Sequence, residues 1–129
     1  MLKRYSSVLI VILGLLLIGC GTAPVYQVTD TPIVTATDNY TLDSVRQAIF
    51  RAGTTKGWQM SNVSNRRIDG SITVRKATAQ VTIDFNRTRY SIRYKGSSNL
   101  DYDGTNIRDG YNRWIRNLDQ QIKIELSGL

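Results

Sequence analysis

Apolar residues fall into three kinds of spacing along this chain. Residues 8–18 are an almost unbroken apolar run preceded by Lys3 and Arg4. From position 42, Leu42, Val45, Ala48, Ile49 and Ala52 recur at intervals of three and four, with Asp43, Ser44, Gln47 and Arg51 opposite, which predicts an amphipathic helix. Thr41 suits its N-cap and Asp43 its first turn, where the helix dipole favours negative charge. Lys56 and Gly57 suit its end, with Gly53 as an alternative, earlier stop. Period-two alternation then predicts four strands, at 58–63, 68–75, 79–85 and 89–95. The turns between them are short enough for hairpins, so the expected sheet is an antiparallel meander. Ile72, Val74, Val81, Ile83, Phe85, Tyr90, Ile92 and Tyr94 share one face; Ser71, Thr73, Arg75, Gln80, Thr82, Asp84, Ser91, Arg93 and Lys95 share the other, polar one. After a loop at 96–110, Tyr111, Trp114, Ile115, Leu118, Ile122 and Leu126 restore the helical spacing, with Asp109 as expected N-cap, Asp119 and Lys123 paired on the exposed side, and Ile124 outside the stripe.

One apolar sheet face and two apolar helix stripes have one economical arrangement. The expected fold class is α+β, with two layers: helix, four-stranded antiparallel meander, helix, both helices on one face of the sheet. The folded domain then spans 41–129, about 90 residues, enough to fold alone. Residues 21–40, rich in Thr and without a clear period, read as a flexible tether with a reach of about 25 Å. The alternative is that 25–28 and 32–34 dock on the domain as short edge strands.

The leading apolar run is too short to span a bilayer, which takes about 20 residues, but has the length of a signal-peptide core. It ends in Leu17, Ile18, Gly19 and Cys20, which resemble a bacterial lipobox. The expected organisation is a lipoprotein signal peptide over 1–19, then a lipidated Cys20 and the tether over 20–40. Two or more acyl chains hold a protein stably where one does so marginally. Gly21, rather than Asp, in the second mature position favours the outer membrane of a two-membrane cell, with the domain facing the periplasm.

Composition narrows the chemistry. The chain has no His and a single Cys, which removes His-based acid/base catalysis, His-ligated metals and any intramolecular disulfide. No cofactor and no metal are expected. The formal charge is +7, and loss of Lys3 and Arg4 with the leader leaves a moderately basic protein. Arg75, Arg87, Arg89 and Arg93 are candidates for an anion-binding surface, in a wider basic set that includes Arg108, Arg113 and Arg116; a solvated face is the plainer alternative. Tyr94, Ser97, Asn99, Tyr102, Asn112 and Asn117 are candidates for a pocket rim, against a reading in which the aromatics are core and the polar groups tie the loop to the helix. Asp101 and Asp103 are the nearest approach to paired carboxylates, although Asp and Asn are also ordinary turn residues.

The stretch Tyr94-Lys95-Gly96-Ser97-Ser98-Asn99-Leu100-Asp101-Tyr102, followed by Tyr111-Asn112-Arg113-Trp114-Ile115-Arg116-Asn117-Leu118, resembles a family of small bacterial lipoproteins of outer-membrane type. Ala48 with Ile49, Gly57 with Trp58, and Tyr90-Ser91-Ile92 extend the resemblance over roughly 42–126. Its members often carry His where this chain has Arg108 after Ile107, so a His-dependent role does not carry over. The resemblance implies a lipid-anchored envelope protein and no reaction. The expected function is a non-catalytic binding or structural module, held to the membrane through Cys20, with an envelope protein or an anionic envelope polymer as partner and no nucleic acid. The alternative is a small envelope enzyme acting on cell-wall or lipid material through the loop carboxylates.

Overall fold

The computed structural model describes residues 21–129; the expected signal peptide at 1–19 and Cys20 lie outside the described residues. Thr41 caps the first helix, α1 (Leu42–Thr55), as expected: its hydroxyl accepts from the Ser44 N–H at 3.1 Å, while its own N–H donates to the Ser44 hydroxyl at 2.8 Å. The helix runs through Gly53 and is stopped at Gly57, whose φ of 86° is cheap only for glycine. Two strands precede it, β1 (Thr22–Pro24) and β2 (Val28–Pro32). Five follow: β3 (Gln59–Ser64), β4 (Arg67–Val74), β5 (Ala77–Phe85), β6 (Arg89–Ser98) and β7 (Asn106–Arg108). The second helix, α2 (Asp109–Ser127), closes the chain.

The protein is α+β, but its sheet is larger than the four-stranded meander expected. β3 to β6 do form consecutive antiparallel hairpins; β2 adds a fifth strand beside β6, in the order β2-β6-β5-β4-β3, and β1 pairs with β7 in a separate two-stranded sheet. The segment expected to be a tether is therefore part of the fold. β2 meets β6 through Val28 opposite Ile92 and Thr31 opposite Tyr90, with a bulge between them where Asp30 takes φ 47° and donates its N–H to the Ser91 hydroxyl. The alternative of short docked strands is right in kind, but they lie at 22–24 and 28–32 and not at 25–28 and 32–34, because strands of three and five residues carry too little alternation for their bounds to be read locally. What holds them is pairing with residues some sixty or more positions away.

The core forms between the apolar face of the sheet and the two helices. Ile68, Ile72, Val81, Ile83, Phe85, Tyr90 and Ile92 are buried together with Val45, Ala48, Ile49 and Ala52 of α1 and Tyr111, Ile115, Leu118, Ile122 and Leu126 of α2. Val74, assigned to the same face, lies at the strand end and is 39% exposed. Gly70 is required by close approach: a Cβ there would meet Met60, Val81 and the Trp58 ring at 3.2–3.3 Å, so its absence lets the indole lie against the sheet. The opposite face is solvated and bridged by ion pairs, Lys95 with Asp69 at 2.6 Å and Asp84 with both Arg67 and Arg93. Lys95 and the hydroxyl of Thr82 hold the Asp69 carboxyl below its usual range.

Two details of α2 differ from expectation. Asp109 is the first helical residue and not the N-cap; Arg108 occupies that position with no side-chain cap, and the Asp109 N–H donates to the Gly21 carbonyl at 3.1 Å. Asp119 pairs with Lys123 at 3.2 Å as expected, yet its residue is only 7% exposed, because the buried Tyr90 hydroxyl donates to its other oxygen. Burial and the adjacent carboxylate push the Tyr90 phenol well above its ordinary value. Ile124, outside the stripe, is exposed.

Candidate functional site

The six residues expected to rim one pocket occupy several places. Tyr94 and Tyr102 stack with ring centres 4.3 Å apart, and Tyr111 meets Tyr94 edge-on at 5.7 Å, so three rings run from the core to the surface. Ser97 joins them through a 2.8 Å hydrogen bond to the Tyr94 hydroxyl. In a regular strand these two would lie on opposite faces. A bulge opposite Gln80 and Val81 lets β6 accommodate an extra residue and brings Ser97 opposite the buried Ala79. Tyr102, 41% exposed, ends the column at solvent. Burial, with the neighbouring Tyr94 and Tyr102, raises the Tyr111 phenol pKa.

Asn112 is buried and faces the N-terminal segment. Its Oδ1 accepts from the Tyr26 N–H at 2.8 Å and its Nδ2 donates to the Pro24 carbonyl at 2.9 Å, satisfying the backbone between β1 and β2. The Arg116 guanidinium lies over the Tyr26 ring, 4.8 Å from its centre, on the same segment. Asn117 is exposed. Asn99 lies at a different cleft, described below.

The four arginines expected to form one surface are also divided. Arg75 sits in the β4–β5 turn, whereas Arg87 and Arg89 lie at the β5–β6 turn, the length of nine-residue β5 away, about 27 Å at strand rise. Arg87 is laid over the Tyr40 ring, 4.6 Å from its centre, and donates to the Tyr40 and Asp38 carbonyls. Arg89 donates to the Asp30 carbonyl at 2.7 Å, and Arg93 is paired with Asp84. These three brace the fold.

The loop carboxylates have structural partners as well. Asp101 pairs with Arg108 at 2.7 Å. Asp103 accepts from the N–H groups of Asn106 and Thr105 at 2.7 and 2.9 Å, which lowers its pKa and fixes the turn into β7. Among the described residues no three His, Cys, Asp or Glu side chains come together as metal ligands.

The structure does assemble a basic cleft of about 600 Å³ where the β4–β5 turn, the loop after β6 and the start of α2 meet. Arg75, Lys76, Arg108 and Arg113 line it against one carboxylate, Asp109, with half-buried Trp114 and Gly21 in its wall. Arg75 takes φ 58°, a left-handed conformation uncommon outside glycine, and Asn99, at φ 57°, donates its Nδ2 to the Lys76 carbonyl at 2.7 Å, tying the turn to the loop. Arg75, Arg108 and Arg113 were among the basic candidates from the sequence and Asn99 among the rim candidates, whereas Lys76 was in neither group. Arg108 and Arg113 carry no pattern linking them to a turn thirty residues earlier, and the cleft wall contributed by Gly21 depends on the pairing of β1 with β7.

Comparison of the chain with protein-family models, with curated proteins and with solved structures finds no match. No helix among the described residues is long and apolar enough to cross a membrane.

Proposed function

We propose that the protein is a lipid-anchored lipoprotein of the bacterial cell envelope, related to the family of small outer-membrane-type lipoproteins it resembles, and that its folded part binds or organises another envelope component without catalysing a reaction. The observation that carries this reading is Leu17-Ile18-Gly19-Cys20 at the end of a basic-then-apolar leader, in a chain with no other Cys. The position of Gly21 agrees with it: the residue one peptide bond after Cys20 is exposed and hydrogen-bonded to the domain, so an acyl chain attached there would start from the protein surface. Gly21 in place of Asp favours the outer membrane. The structural partners of Asp101 and Asp103 support a binding role over hydrolysis by paired carboxylates.

Expressed in a bacterium with the lipoprotein pathway, the chain is expected to incorporate labelled palmitate and to lose residues 1–19. Cys20→Ser is expected to abolish labelling and leave the precursor uncut. Persistent labelling of that variant would overturn the reading, because no second thiol exists to carry the lipid.

A further inference from the structure

We infer that the basic cleft formed by Arg75, Lys76, Arg113 and Trp114 is the membrane-facing surface of the domain and takes the phosphates of anionic lipid head groups in the leaflet that holds Cys20. The inference rests on the anchoring reading above and adds what the domain does at the bilayer.

Three observations lead to it. The first is the absence of slack. Gly21 accepts from the Asp109 N–H at 3.1 Å, Thr22 pairs with Arg108, and the Val25 N–H donates to the Thr105 carbonyl at 3.0 Å, so the chain is locked to the domain from the first residue after Cys20. Successive Cα atoms are about 3.8 Å apart, so the acylated residue has no tether over which to lift the domain away. The second is that Gly21 itself forms part of the cleft wall, which places the lipid attachment beside the cleft and not on another side of the molecule.

The third is charge. Among the described residues the ion pairs leave Arg75, Lys76 and Arg113 without a carboxylate, in contrast to Arg67, Arg93, Lys95 and Arg108. Three cations held at a bilayer surface attract anionic head groups, and guanidinium groups match phosphate oxygens in pairs. Trp114, half-buried in the same wall, has the amphipathic ring favoured at the level of the head groups. A soluble protein partner has no comparable reason to sit beside the anchor.

The test uses the mature, palmitate-bearing protein reconstituted into phosphatidylcholine vesicles, with and without phosphatidylglycerol, each containing phosphatidylcholine brominated near the head group as a quencher. Trp58 is buried in the core, so quenching reports Trp114, and Trp114→Phe serves as the control. Quenching is expected to be stronger in the anionic vesicles than in neutral ones, where only the anchor holds the cleft near the bilayer, and to fall to the neutral level at about 1 M salt, where the Debye length falls to about 3 Å. Arg75→Gly combined with Lys76→Gln and Arg113→Gln is expected to bring quenching in anionic vesicles down to the neutral-vesicle level while keeping the urea midpoint, since glycine accepts the backbone of position 75 and the other two side chains are exposed. Inorganic phosphate at matched concentration is expected to leave quenching unchanged. Labelled protein whose Trp114 escapes quenching, a triple variant quenched like the unmodified chain, or full competition by free phosphate would each overturn the inference while leaving the anchor intact. A chain that carries no palmitate would overturn both.

Discussion

Above pH 10, the ordinary tyrosine value, the domain is expected to lose stability steeply, by up to about 1.4 kcal/mol per pH unit for each of Tyr90 and Tyr111. Both phenols are raised in the folded state, chiefly by burial, so between the unfolded and folded values the unfolded chain binds fewer protons. The stability these groups contribute is fully present below the unfolded value and is lost as the pH rises through the folded one. Tyr90 adds a second cause: its ionisation would set a phenolate against Asp119, with Lys123 as the cation already bonded there. Urea titrations from about pH 9 to about pH 11.5 would measure the slope, which Tyr111→Phe should roughly halve. Tyr90→Phe should also flatten it, at a cost near neutral pH of about 1.5–3 kcal/mol for the lost hydrogen bond to a charged acceptor. A stability independent of pH over that range would contradict the burial assigned to both rings.

Asn112→Ala is expected to destabilise the protein by about 2–4 kcal/mol, because it strips partners from the Tyr26 N–H and the Pro24 carbonyl at once. Asn117→Ala, five residues on and exposed, should change stability by less than about 0.5 kcal/mol. The two can be compared by urea unfolding and by limited proteolysis, where only the Asn112 variant should become cleavable within 21–40. Equal behaviour would mean that Asn112 is not what secures the N-terminal strands.

Both helices and the four central strands were legible in the sequence because each buries one face, and burial of one face writes a period into the residues. The capping of α1 by Thr41 was legible for a similarly local reason. Two kinds of feature were not. Strands β1, β2 and β7 are held by partners far along the chain, so Thr, Asp and Pro at 21–40 look like a linker until the pairing is seen. Asp119 looks like an exposed partner of Lys123 because their spacing is a helix-surface spacing; that Tyr90 covers it depends on how β6 packs on α2. The candidate site divided along the same line. Tyr94, Ser97 and Tyr102 are close in sequence and do come together, whereas the four arginines were grouped by type, and the antiparallel path of β5 sends Arg75 to the opposite end from Arg87 and Arg89.

The docking of the N-terminal segment also sets an order of assembly. Tyr26 bonds to a residue 86 positions later and the Thr37 hydroxyl to the carbonyl of Leu129, 92 positions later. Contacts of such separation form late, because a loop of nearly the whole domain must close before any of them is made. The hairpins from β3 to β6 are local and can form while the rest of the chain is still arriving. The first two strands have no partner until β6 and β7 exist, so residues 22–32 join a sheet whose central hairpins are already made, and the N-terminal end is the last part of the domain to be covered.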